Sequence, residues 1–354
     1  MLPWSSELSG RTVELTIDSD LLRDNPLGDP WQRPLLVQLP PSYDQDEDVR
    51  YPVVYWLQGF MGHGGMWRNR SPFRQPFFEL ADQVLADPAV PPVLLVHVDA
   101  WTGFGGSQFV DSPGTGRYHS YLCDEVVPFV DQHFRTLADR DHRAVAGKSS
   151  GGFGAMITPM LRPDLFGAFA SHAGDALYET NYLSEIGNAV RALREYDANI
   201  WAFWEDFKSR DPFSKPSDQL LLLYLGISAC FSTDPDGTVH LPFDPTTGRL
   251  NDAVWTRWLA WDPVRMLQAP DFAKAMTSMH AIWVGAGKND DFHLDLGAQA
   301  FIDGLQNLGI ADDVITYDLT EANHWTIESR YPDSLRWLAD RLTHQLPSRL
   351  QSHR

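Results

Sequence analysis

The sequence predicts one doubly wound α/β domain built on a mostly parallel sheet, and three observations carry that prediction. β-rich apolar runs of strand length recur along the chain, segments with helical spacing separate them, and no internal repeat or low-complexity linker divides the 354 residues. Near-continuous apolar runs suit strands covered by helices on both faces, and strand–helix alternation suits a parallel sheet.

Residues 11–17 and 34–39 alternate as strands between polar, proline-containing turns. Tyr51-Pro52-Val53-Val54-Tyr55-Trp56-Leu57 and Pro92-Val93-Leu94-Leu95-Val96-His97-Val98 are runs that end in Gln58-Gly59 and Asp99. Between and after them, residues 77–85 and 124–134 have helical spacing. A short strand at 144–146 leads into Gly147, a helix through Met156 and Leu161 follows, and a strand is expected near 169–171. The pattern resumes with a strand at 281–284, a helix at 298–308, a strand at 314–317 and a closing helix at 334–346. Residues 175–275 break the alternation. They are aromatic and helix-like, with Trp201/Trp204 and Phe203/Phe207 each spaced to share a helix face, so a helical insertion within a single 1–354 domain is expected.

Composition excludes several classes. A hydrophobic share of 43% and a charged share of 21% are ordinary for a folded chain, and the net charge of −19 disfavours nucleic acid or an anionic membrane as partner. Cys123 and Cys230 lie in no metal-ligand or disulfide spacing, and His63 among glycines has no partner at metal spacing. No metal or cofactor is expected. The start of the chain has no basic segment followed by an apolar one, and the longest apolar run, 220–231, is too short to span a bilayer. A cytoplasmic location follows as the expectation, with the sequon Asn69-Arg70-Ser71 read as chance.

The chemistry begins at Gly147-Lys148-Ser149-Ser150-Gly151, a G-x-S-x-G motif between a strand and a helix. Such a turn needs small neighbours because its serine sits on a sharp, strained bend, and Gly147, Gly151, Gly152 and Gly154 supply them. A glycine-rich turn without chemistry would explain the motif alone equally well. A phosphate loop would not, because the position five residues before Gly147 is His142 and not glycine. A serine nucleophile needs a base, and the chain order serine, acid, histidine points to His324, placed after a strand and before the closing helix. His172 could line the same pocket, whereas His344 and His353 fall in the closing helix and the terminus. For the acid, spacing favours Asp290 or Asp291 over Asp175 and leaves the pair open, since one could cap the next helix. Oxyanion donors are expected from the backbone N–H groups of Ser150 and of Phe60, in the glycine-rich loop after the strand at 51–57.

Together these residues resemble the esterase D family of α/β-hydrolases, which includes S-formylglutathione hydrolases, feruloyl and acetylxylan esterases, enterochelin esterases and mycolyltransferases. The resemblance runs over residues 51–342 and rests on Gly59-Phe60, the elbow 147–152 with Phe153-Gly154-Ala155, and Pro163-Asp164-Leu165-Phe166-Gly167. The segments 287–292 and Asn323-His324-Trp325 complete it. It implies an α/β-hydrolase fold, Ser149 as nucleophile, His324 as base, and Phe60 and Ser150 as oxyanion donors. An aspartate three residues after a glycine, the family pattern, selects Asp290 from Gly287. Gln58, where many relatives carry His or Asp, and the 175–275 insertion depart from that pattern. The implied activity is hydrolysis of a small-molecule carboxylic ester through an acyl-enzyme. An acyltransferase with the same triad, and a non-catalytic binding protein on a hydrolase scaffold, are the alternatives. The insertion is expected to form a cap over the site, or else an extra packed helical layer or a homodimer contact.

Overall fold

The apolar runs form the strands of one eight-stranded sheet in a computed structural model that describes residues 7–343. The strands are β1 (Arg11–Asp18), β2 (Gln32–Leu39), β3 (Val53–Leu57), β4 (Leu94–Val98), β5 (Arg143–Lys148), β6 (Ala168–His172), β7 (Ala281–Asn289) and β8 (Ile315–Asn323). Their spatial order is β1-β2-β4-β3-β5-β6-β7-β8. The pairs β1/β2 and β2/β4 are antiparallel, and every pair from β4/β3 to β7/β8 is parallel. Parallel neighbours need crossovers, and these carry α1 (Phe77–Leu85), α2 (Val127–His133), α3 (Ser150–Leu161) and α4 (Leu294–Asn307), with α5 (Tyr331–Thr343) closing the described chain.

Period-two alternation divides the strand side chains between two apolar layers. Tyr55, Leu57, Val96, Val145, Phe169 and Ile282 point into the larger layer with α3 and α4. Val54, Trp56, Leu95, Ala144, Ala170 and Trp283 point into the smaller layer with α1 and α5. Both layers are needed because the strands β3–β6 are buried along their whole length. Fully burying each large side chain contributes about 1.5–3 kcal/mol.

Several boundaries differ from the sequence expectation. β7 and β8 run on to Asn289 and Asn323, well past 284 and 317, because the glycine-rich end of β7 pairs with polar residues of β8. The helix expected over 124–134 opens as a wider π-type turn at Tyr121–Val126 before α2. The closing helix starts earlier than expected, at Tyr331, while His344 and His353 lie outside the described residues.

Residues 175–275 hold the helices Ile186–Leu193, Ile200–Ser209, Asp218–Phe231 and Asp252–Leu259, with shorter turns between them. The run 220–231 forms most of a buried helix that ends against Phe153 of α3, where the Phe231 and Phe153 rings lie 5.8 Å apart. Buried residues of the insertion and of the larger sheet layer form one continuous apolar cluster. No helix among the described residues is long and apolar enough to cross a membrane.

Candidate active site

β5 ends at Lys148, and Ser149 makes the turn into α3 with φ 56° and ψ −127°, a left-handed conformation that a residue with a side chain adopts at a cost. Its N–H donates to the carbonyl of His172 at 2.9 Å, and its carbonyl accepts from Phe153 N–H at 2.8 Å, so both neighbours hold the bend. The flanking glycines are sterically required. A Cβ on Gly151 would lie 2.4 Å from the Leu57 carbonyl oxygen and 2.6 Å from that of Gln58, and one on Gly147 would meet Gly151 at 2.5 Å. Ser149 is half-buried and opens into a cavity of about 520 Å³.

Across that cavity stands His324. Asn323, the last residue of β8, accepts three hydrogen bonds on its side-chain oxygen, from Trp325 N–H (3.1 Å), Thr326 N–H (3.0 Å) and the Thr326 hydroxyl (2.9 Å). That turn fixes the imidazole between Phe292 and Trp325, whose rings meet it edge-on at 4.8 and 5.3 Å. The Nδ1 atom of His324 lies 2.9 Å from Oδ2 of Asp290, and both side chains are almost wholly buried.

Asp290 reaches that position through Gly287. A Cβ there would sit 2.2 Å from the Ala322 carbonyl oxygen, so only glycine lets the ends of β7 and β8 close together. A turn from Asp290 N–H to the Gly287 carbonyl (3.0 Å) then aims the carboxylate at His324. Its second oxygen accepts from Phe292 N–H at 2.9 Å and Leu294 N–H at 3.4 Å, so Asp290 also caps α4. Asp291 lines the cavity instead.

The loop after β3 forms the next wall, with Gly59, Phe60 and Met61. Gln58 braces it: its side-chain amide donates to the Gly62 carbonyl at 2.7 Å, and its side-chain oxygen accepts from Ala100 N–H at 3.4 Å. Met61 N–H donates to the Gly105 carbonyl at 2.7 Å. Ser150, the first residue of α3, lines the cavity beside Ser149. His63 accepts from Gly65 N–H at 3.1 Å and caps a short helical turn.

One candidate lies elsewhere. His172, a possible pocket residue in the sequence, is the last residue of β6 and points into the smaller layer, where Nε2 meets the Ser334 hydroxyl at 2.7 Å. Burial lowers its pKa to about 3, so it stays neutral. Asp175 does line the cavity, but it accepts from the Tyr182 hydroxyl (3.0 Å) and the Ser150 hydroxyl (3.4 Å).

A cap from the insertion is expected over the site, but the chain alone identifies none of the residues that form this far wall. Asn181, Tyr182, Gln219, Leu220, Leu223 and Tyr224 of the insertion enclose the cavity opposite Trp325 and Glu328. Lys148, beside Ser149 in the chain, also lines it, with Nζ 3.2 Å from Glu328 and 5.3 Å from the Trp325 ring centre. Among the described residues no group of three or more His, Cys, Asp or Glu side chains could hold a metal ion.

Strand order and the strand-to-helix turn at Ser149 define the fold as that of the α/β-hydrolases. Comparison with known proteins narrows the class, for residues 30–325 match the family described as "Putative esterase", to which the chain belongs. A similar curated protein is an endo-1,4-beta-xylanase/feruloyl esterase of Xylanibacter ruminicola, 28% identical over 141 residues that cover 39% of this chain and 19% of that protein. An esterase of Mycobacterium tuberculosis is 31% identical over 183 residues, covering 48% of this chain and 37% of that protein. The matched region thus spans well under half of either relative. Among solved structures, a ferulic acid esterase superposes with a TM-score of 0.61 at 19% identity, covering 95% of this chain and 100% of that one. An S-formylglutathione hydrolase from Agrobacterium tumefaciens superposes with a TM-score of 0.55 at 17% identity, covering 96% and 98%. These superpositions show a shared fold.

Proposed function

We propose that this protein hydrolyses carboxylic esters through a covalent acyl-enzyme on Ser149, with His324 as general base and acid and Asp290 as its orienting carboxylate. The observation that carries the reading is the buried Asp290 paired with His324, whose imidazole faces the same cavity as the strained Ser149 turn. Asp290 accepts a hydrogen bond from Nδ1–H, which holds His324 in the tautomer whose Nε2 is unprotonated and free to take a proton from the Ser149 hydroxyl. The serine oxygen then adds to the ester carbonyl, and the N–H groups of Phe60 and Ser150 receive the developing oxyanion. Collapse breaks the ester C–O bond, and the imidazolium gives its proton to the leaving alcohol. Water, deprotonated by His324, attacks the acyl-enzyme, and the proton returns to Ser149 as the acid departs. The positive end of α3 behind Ser150 favours the oxyanion further.

The cavity walls of Phe60, Leu220, Leu223, Tyr224 and Phe292 favour aryl or medium-chain acyl esters, in keeping with the feruloyl and ferulic acid esterases among the relatives. The insertion serves as the cap that shapes this wall. Two buried free cysteines accord with a cytoplasmic site of action. Labelling by a fluorophosphonate probe tests the reading, together with an aryl-ester and chain-length panel. Wild-type protein is expected to label once per chain and to hydrolyse esters, and Ser149→Ala to do neither. Equal labelling of Ser149→Ala would overturn the assignment of the nucleophile.

A further inference from the structure

The mechanism leaves one buried carboxyl on the cavity wall unused, that of Asp175. Its surroundings join two parts of the site that are far apart in the chain. Oδ2 accepts from the Ser150 hydroxyl at the start of α3 and from the Tyr182 hydroxyl at the root of the insertion. Tyr182 is itself tied further into the insertion, for its carbonyl accepts from the Tyr224 hydroxyl at 2.6 Å. Both tyrosines line the cavity.

The segment bearing Asp175 is pressed directly onto the elbow. A Cβ on Gly152 would lie 2.8 Å from the Gly174 Cα, and one on Gly174 would lie 2.8 Å from the Gly152 carbonyl carbon. Ala173 (φ 44°) and Leu177 (φ 56°) bracket the segment in left-handed conformations, strain of the kind that packing sustains around working sites. Asp262, fully buried, pins its far end by accepting from Leu177 N–H (3.1 Å) and Tyr178 N–H (3.0 Å). A continuous chain of contacts thus runs from Ser150 through Asp175 to Tyr182, its link to Ser150 the longest at 3.4 Å, and the backbone of the segment is held at both ends.

Resting on the esterase reading, we propose that Asp175 is a positioning residue that ties the oxyanion donor at Ser150 to the insertion wall at Tyr182, so that acyl-group binding and oxyanion stabilisation are set together. The groups facing its carboxyl are Ser150 from α3, Tyr182 and Tyr178 from the insertion, Gln108 from the loop after β4, and His324 and Asp290 from the ends of β8 and β7. Burial raises its pKa to about 6 against the opposing pull of Tyr182 and His324, so it is mostly ionised at pH 7.5 and neutral at pH 5. Burial also holds the Tyr182 phenol well above its usual range, which keeps it a donor throughout. A charged acceptor holds two hydroxyls about twice as strongly as a neutral one.

The test uses p-nitrophenyl acetate, whose acyl group carries a single methyl, with Asp175→Asn and Tyr182→Phe followed from pH 5 to 8. Asp175→Asn is expected to lose about ten-fold in kcat at pH 7.5 with KM within two-fold, and Tyr182→Phe a smaller loss of the same kind. The wild-type to Asp175→Asn ratio of kcat should fall toward one at pH 5, where the wild-type carboxyl is also mostly neutral. A ratio that does not change with pH, a loss carried by KM, or an unchanged kcat in both variants would overturn the proposal. Tyr182→Phe decides the matter should Asp175→Asn fail to fold. A wild-type protein that neither labels nor turns over would overturn the esterase reading and this one together, whereas an active wild type with indifferent variants overturns this one alone.

Discussion

Replacing Asp290 with Asn keeps shape and removes charge, and the hydrogen bonds around it say what should follow. One carboxylate oxygen serves Phe292 N–H and Leu294 N–H, and the other faces Nδ1 of His324. Asparagine has one acceptor and one donor end. Keeping its oxygen on the two backbone N–H groups preserves bonds worth about 1 kcal/mol each. The amide NH2 then faces Nδ1 and selects the tautomer protonated on Nε2, which cannot take a proton from Ser149. Reaching the productive tautomer means turning NH2 against two backbone donors, a ten-fold or larger penalty at about 1.4 kcal/mol per factor of ten. The imidazolium also loses its counter-charge, and at 4 Å with an effective dielectric of 20 that attraction is about 4 kcal/mol. The two effects together predict a fall in kcat of about 10³–10⁴ with little change in KM. Steady-state hydrolysis of p-nitrophenyl butyrate, alongside thermal melting to verify folding, measures it. If Asp290→Asn kept more than a tenth of wild-type kcat, or if Asp291→Asn lost as much, the assignment of the acid would be wrong.

Three further outcomes follow from the same geometry. Ser149→Gly should abolish turnover yet raise the unfolding free energy by about 1 kcal/mol, because relief of about 1–3 kcal/mol of backbone strain exceeds glycine's entropic cost of about 0.5–1 kcal/mol; calorimetry reads it. Gly151→Ala drives a methyl into two backbone carbonyls at 2.4 and 2.6 Å and should destabilise by about 3 kcal/mol or more, whereas Gly187→Ala, with nothing within 4 Å on an insertion helix, should stabilise by about 0.5–1 kcal/mol in denaturant titration. Asp175→Asn tests linkage: with a folded pKa of about 6 against an ordinary 3.8, the native wild type holds the proton that the unfolded chain releases between those values, so wild-type stability falls as pH rises from 4 to 6 and stays lower above. The variant's advantage in chemical denaturation should therefore grow from near zero below pH 4 to at most about 3 kcal/mol at pH 7.

How much of this could be read from the chain follows from what each part depends on. β3 and β4 were legible because strands buried on both faces need unbroken apolar runs, and Val53–Leu57 and Leu94–Val98 are such runs. The elbow was legible because the backbone allows only glycine at 147 and 151. Asp290 and His324 were legible as residues at strand ends; spacing left Asp290 and Asp291 open, and the family pattern counted from Gly287 selected Asp290, a pattern whose physical basis is the close approach at Gly287 and the turn after it. His172 went astray by one strand position. Reading the strand as ending at 171 freed the imidazole toward the pocket, whereas as the last residue of β6 it faces Trp56, Tyr331 and Ser334. The insertion was expected over the site, but its wall residues were illegible because Tyr182, Gln219 and Tyr224 reach the cavity through helix packing between distant segments, which no local pattern encodes.

That wall also bears on how the protein selects a substrate. A lid that opens and closes needs a weakly held interface, with few buried apolar contacts and a hinge free of crosslinks. The insertion has the opposite construction. Phe231 packs on Phe153 of α3, Asp262 holds the backbone of Leu177 and Tyr178, and Arg210 reaches the fully buried Asp218 at 2.6 Å within the insertion itself. Its core is continuous with that of the sheet. On the proposed esterase reading, acyl groups would be selected by the fixed shape of the wall that Leu220, Leu223 and Tyr224 form, while the half-exposed Trp325 and the Lys148–Glu328 pair line another part of the same cavity. On this construction, shortening Leu220 or Leu223 should change which chain lengths are preferred, while Trp325 and Glu328, on the side of His324, the base of the proposed mechanism, should govern the alcohol half of the ester.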